Sequence, residues 1–172
     1  MTEPLRIEIA PGESVSALVY PAAGAKPAGI TLLLGHGAGA GQTSAFLVRF
    51  ATGLAGRGID AVTFNFPYIE HRRRVPDPGP KLEACYRAAI AAVRGHEKVG
   101  RNRLAIGGKS MGGRIASQIA AAGADEVAAL VFLGYPLHPP GKPEQLRAKH
   151  LPHVTSPMLF VDRKSTRLNS SH

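Results

Sequence analysis

Apolar positions along this chain change their period several times, and each change predicts an element. Residues 5–10 alternate weakly, and 14–20 (SVSALVY) follow Pro11-Gly12, which predicts an opening β-hairpin. The continuous apolar run 30–34 (ITLLL) predicts a strand buried on both faces. Phe46, Leu47, Phe50, Ala51 and Leu54 then recur at helical spacing, with Gly56 and Gly58 placed to stop the helix. Residues 61–66 (AVTFNF) form the next strand, ended by Pro67. A loop rich in Arg and Pro leads to a second helix with Leu82, Cys85, Tyr86, Ala89, Ile90 and Val93 on one face. Strand 104–107 runs straight into Gly108-Lys109-Ser110-Met111-Gly112, and a helix over 112–122 follows, with Met111, Ile115, Ile119 and Ala122 as its apolar positions. Two further strands, 127–133 and 158–161, flank a Pro-rich stretch at 136–157. Strands alternating with helices predict an α/β fold, a mainly parallel sheet with helices on both faces.

Composition narrows the class. Of 172 residues 44% are hydrophobic and 19% charged, with 20 Gly and 14 Pro, the profile of one ordinary globular domain. A single cysteine, Cys85, excludes an internal disulfide framework, and no Cys/His cluster has metal-ligand spacing, so neither metal nor cofactor is expected. A reducing cytoplasm is the expected location. No apolar run reaches the roughly 20 residues that span a bilayer, and the first residues lack a signal-peptide core. The charge balance, 21 Lys+Arg against 12 Asp+Glu, is +9. It is scattered, and its one run, His71-Arg72-Arg73-Arg74, reads as a solvated loop. Neither nucleic acid nor membrane is expected as a partner.

Candidate chemistry sits at Gly108-Lys109-Ser110-Met111-Gly112, which fits G-x-S-x-G between a buried strand and an amphipathic helix. A strand-to-helix turn this sharp strains the serine, and side chains at Gly108 and Gly112 would clash with neighbouring backbone. Ser110 is the candidate nucleophile, close to the N–H groups and partial positive charge of a helix N-terminus. The loop 35–41 (GHGAGAG), directly after a buried strand, is the candidate source of a second oxyanion donor. The donors are assigned as the N–H groups of Met111 and Ala38, with Gly37 as substitute for the latter. His36 is expected to be structural.

Two rival motifs overlap these segments. A phosphate-binding P-loop ending at Ser110 needs glycine at position 103, which is Arg103. Gly35-x-Gly37-x-x-Ala40 fits the looser dinucleotide fingerprint. The acidic residue should then cap the next strand, but that strand ends Asn65-Phe66 and Asp60 is at its other end. Nucleotide binding is kept as the weaker alternative.

The segments LLLGHGAGAG, FNFPY, KLEACYRAAI, GGKSMGGRIAS and GYPLHPPGKPEQLRAKHLP together resemble the small bacterial α/β-hydrolases related to dienelactone hydrolase. The animal relatives of that group include a testis-expressed protein and a subunit of a histone-acetyltransferase complex. The likeness covers roughly residues 5–161. It implies an α/β-hydrolase fold, Ser110 as nucleophile and a small-molecule ester or acyl substrate. A non-catalytic interaction module on the same fold is the alternative that the animal relatives suggest. The family order Ser, Asp, His places the acid and base after the strand at 158–161. His138, His150 and His153 precede that point and are expected in loop or surface roles. The final eleven residues, DRKSTRLNSSH, are what the common short-read sequencing adapter encodes in one frame. The expectation is therefore an incomplete α/β-hydrolase domain over 1–161 and a non-native tail over 162–172, whose Asp162, Ser165 and His172 take no catalytic part. Such a chain would lack the triad acid and histidine and hydrolyse esters feebly or not at all.

Overall fold

The computed structural model describes residues 1–24, 26–123 and 126–162; the tail from residue 163 onward lies outside the described residues. The hairpin forms as expected, β1 (Glu3–Ala10) antiparallel to β2 (Glu13–Tyr20). After it come β3 (Ile30–Gly35), α1 (Ala45–Ala55), β4 (Asp60–Phe64), the short α2 (Pro67–Glu70) and α3 (Gly79–Arg94). The chain continues through β5 (Arg103–Lys109), α4 (Met111–Ala121), β6 (Ala129–Leu133) and β7 (Met158–Val161). The seven strands form one sheet in the order β1-β2-β4-β3-β5-β6-β7. β2 runs antiparallel to β4, and every pairing from β4 to β7 is parallel.

Strand alternation divides the core between the two faces. Leu33, Val62, Ile106, Leu130 and Phe132 face α3 and α4, and all six apolar positions of the α3 stripe are buried there. Leu32, Leu34, Ala105 and Leu133 face the other way, toward Leu47, Phe50 and Leu54 of α1. Ser44 caps α1, its Oγ accepting from the Leu47 N–H at 3.3 Å. At the far edge β7 is thinly covered: Leu159, Phe160 and Val161 are 57%, 49% and 45% exposed. An apolar edge of this kind is an aggregation liability.

Several boundaries move; the strand expected over 127–133 begins only at Ala129, and the one expected over 104–107 extends to Arg103–Lys109. The strand expected over 61–66 stops at Phe64, because the Phe66 N–H donates to His36 Nε2 (2.9 Å) instead of to a neighbouring strand. The helix expected from Gly112 starts one residue earlier, at Met111. The turn at Pro67–Glu70 had no periodicity to announce it. No helix among the described residues is long and apolar enough to cross a membrane.

Candidate active site

Ser110 stands where β5 ends and α4 begins, with φ 50° and ψ −113°. Among the described residues only Arg72 is another non-glycine with positive φ. Such a conformation costs roughly 1–3 kcal/mol and persists only where surrounding structure imposes it. The imposing contacts are visible. The Ser110 N–H donates to Leu133 O (3.0 Å) on β6, and its carbonyl accepts the Arg114 N–H (3.1 Å), the first turn of α4. The serine is half-buried. The first-turn N–H groups of α4, Met111 foremost, have no intrahelical acceptor.

The glycine loop lies opposite. A Cβ on Gly37 would be 3.9 Å from Ser110 Cβ and 3.7 Å from Lys109 O, so loop and elbow are in direct apposition. Gly37, Ala38, Gly39, Ala40, Ser44, Lys109 and Ser110 line a cleft of about 330 Å³. A more apolar cavity of about 670 Å³ adjoins it, lined by Phe46, Phe50, Leu133, Gly134 and Val161. Lys109 borders both cavities, its ammonium 4.5 Å from the Phe46 ring centroid.

The loop is pinned along its length. His36 is fully buried; its Nδ1 donates to Gly37 O (2.7 Å) and its Nε2 accepts from the Phe66 N–H. The Tyr68 hydroxyl donates to Ala38 O (2.8 Å), and the Tyr68 N–H is itself held by Asp77 Oδ2 (2.8 Å). At the other end Asn65 Oδ1 accepts the Gln42 N–H (2.9 Å) while its amide nitrogen donates to Glu70 Oε2 (3.1 Å). His36 is therefore a scaffold, as expected, with both ring nitrogens committed.

Burial lowers the pKa of His36 from 6.5 to about 4, so it is neutral in the folded state. An unfolded chain takes up this proton first, so stability is present above pH 6.5 and lost as the pH falls toward 4. The loss is about 3 kcal/mol. Urea titrations at pH 7 and pH 4 should show it, and His36→Gln should flatten the dependence; an equal slope in the variant would contradict it.

The other described imidazoles are engaged elsewhere or lie on the surface. His71 faces Glu13 (3.6 Å), His96 caps the backbone at Lys98 and Val99, and His138 and His153 are exposed. His150 lies in a loop, as expected, but is half-buried there and 2.6 Å from Ser117 Oγ. No described side chain bonds Ser110 Oγ. Cys85 is buried and its thiol is pushed up to about 12, mainly by burial, so it is no nucleophile at neutral pH. Among the described residues no group of three His, Cys, Asp or Glu could hold a metal. Asp60, the residue the dinucleotide reading required, bonds Ala22 N and Asn102 Nδ2 at the N-terminal end of β4, opposite the glycine loop.

Sequence reasoning placed Tyr86 on a core face but missed what its hydroxyl does. It accepts from the Gly107 N–H (3.0 Å) and lies 2.6 Å from Gly107 O and 3.0 Å from Leu33 O, bracing β3 and β5 directly beneath the elbow. Tyr86→Phe removes these buried bonds and should cost about 1–3 kcal/mol. Chemical denaturation checks this, and an unchanged midpoint would contradict it.

A strand-to-helix serine facing a pinned glycine loop, on a sheet ordered this way, is matched by the model of the alpha/beta hydrolase domain over residues 28–171. The chain belongs to the α/β-hydrolase family. Solved structures share this fold. An α/β serine hydrolase without lid from Xanthomonas campestris superposes with a TM-score of 0.73 at 21% identity, covering 94% of this chain and 70% of that one. A dienelactone hydrolase from Anabaena variabilis gives 0.72 at 20% identity, over 94% and 73%. An α/β serine hydrolase homologue from Coxiella burnetii gives 0.71 at 18% identity, over 93% and 73%.

Proposed function

We propose that this chain carries the nucleophile and oxyanion hole of a serine ester hydrolase. The observation that carries the reading is the conformation of Ser110, φ 50° at the N-terminus of α4, with Gly37 against it. Ser110 Oγ attacks the acyl carbon of a small-molecule ester while a base removes its proton. The N–H groups of Met111 and Ala38, with Gly37 as substitute, receive the oxyanion. The alcohol departs with that proton, and water then releases the acid and restores the serine.

The described residues place no imidazole on Ser110 Oγ, so the base comes from outside them. Without a base on Ser110 Oγ, ester turnover is feeble. Residual acceleration on the order of a thousand- to ten-thousand-fold over water can survive loss of a triad member when the oxyanion hole is formed. The reaction needs neither cofactor nor metal, neither nucleic acid nor membrane, and suits a reducing cytoplasm. The test is a fluorophosphonate adduct on Ser110, formed faster when free imidazole supplies the base and absent in Ser110→Ala. A folded protein that takes no adduct would favour the non-catalytic interaction module.

A further inference from the structure

The crossover from β6 to β7 contains no long helix. Residues 134–157 run as coil apart from one short turn, Leu151–His153, which rests on α4. Coil laid over a helix needs its own anchors, and these converge on one point. The Tyr135 hydroxyl donates to Arg147 O (2.8 Å), and the Arg147 N–H to Leu137 O (2.6 Å), closing the crossover on itself. His150 then reaches the fully buried Ser117 of α4, with Nε2 2.6 Å from Ser117 Oγ. The Tyr135 hydroxyl completes the cluster, 3.3 Å from Ser117 Oγ and 3.4 Å from His150 Nε2.

We propose that His150 is a proton-operated latch, holding residues 136–157 on α4 while neutral and releasing them on acidification. The hydrogen-bond pattern sets the tautomer. Ser117 Oγ–H is committed to Arg114 O (2.6 Å), so the hydroxyl oxygen accepts from His150 Nε2–H. A second proton must enter at Nδ1. The resulting cation would sit half-buried among charges mostly of its own sign. Arg114 faces it from α4 and His153 from the crossover itself, with the Tyr135 phenol just beyond β6, while Arg147 acts on Arg114 and Tyr135. Glu83 on α3 is the one carboxylate among these neighbours. It is already engaged, 3.7 Å from Arg87 and, through the Gln118 amide turned to suit both neighbours, linked to Arg114 (3.1 Å at each step). Arg114 has no slack to offer, since its buried Nε finds no partner among the described residues.

Burial first, and Arg114 second, hold His150 below its ordinary 6.5. The sign follows. The undocked crossover takes up the proton more readily than the docked one, so docking is full above pH 6.5 and weakens as the pH falls below it. The latch requires nothing of Ser110, so it stands or falls apart from the proposed hydrolase chemistry.

Hydrogen–deuterium exchange from pH 7.5 to 5.5, corrected for intrinsic exchange, tests it. Protection in 136–157 should fall by up to about tenfold per pH unit while β3 and β5 stay protected. In His150→Gln the amide can still donate to Ser117 Oγ but cannot take a proton, so protection should be flat with pH. Ser117→Ala should loosen the crossover at every pH; if that variant does not fold, the comparison with His150→Gln decides alone. Flat protection in the wild type would overturn the latch. So would an equal pH dependence in His150→Gln, or a folded Ser117→Ala protein with unchanged protection.

Discussion

Gly112→Ala is expected to lower stability by about 3 kcal/mol or more, the upper end of what overpacking costs. A Cβ there would lie 2.3 Å from the carbonyl carbon and oxygen of Gly35 and 2.8 Å from its Cα. All three are backbone atoms, so no rotamer change relieves the clash. Gly35 cannot retreat either. It ends β3, which lies between β4 and β5, and it is paired in register with Gly108 of β5. Gly108 meets the same obstacle from the other side: its Cβ would lie 2.3 Å from Gly35 O, and its φ of +155° is one that side chains rarely adopt. Three glycines thus share one contact that lets α4 start against the end of β3. Gly39→Ala in the neighbouring loop is the control, since a Cβ there meets nothing within 4 Å. Its shift should stay within about 0.5 kcal/mol. Urea unfolding of both variants at constant slope checks the pair, and a Gly112→Ala midpoint as close to wild type as that of Gly39→Ala would contradict this account.

The legible parts of the sequence were those in which one residue's environment repeats along an element. ITLLL is apolar throughout because β3 is buried on both faces, and the α3 stripe reads correctly because one helix face meets the sheet. The elbow was legible for another reason: its strain and close approach demand glycines at fixed offsets, and Gly108 and Gly112 supply them. What stayed hidden depends on single bonds between distant residues. His36 meets Phe66 across 30 positions, Tyr68 meets Ala38 across 30, and Ser117 meets His150 across 33. None has a period or a local signature. His36 could be judged structural, but its partner could not be named. The Pro-rich crossover looked like surface loop, and only the buried hydroxyl of Ser117 shows why His150 is held inside it.

The second large effect concerns Ser110 itself. Its backbone is strained, its N–H is tied to Leu133, and its hydroxyl has no partner among the described residues. On the proposed reading, a serine so placed gains from a supplied base what an ordinary surface serine does not, because the N–H groups of Met111 and Ala38 receive the developing charge. General-base assistance is typically worth a hundred- to ten-thousand-fold when the base is positioned, and a freely diffusing one should recover on the order of tenfold. The most direct measurement is peptide mapping by mass spectrometry after incubation with a fluorophosphonate, with and without imidazole, beside Ser110→Ala. The account predicts one adduct, on Ser110, formed faster with imidazole and missing from the variant. A folded wild-type protein without adduct, or with its adduct on another serine, would contradict it.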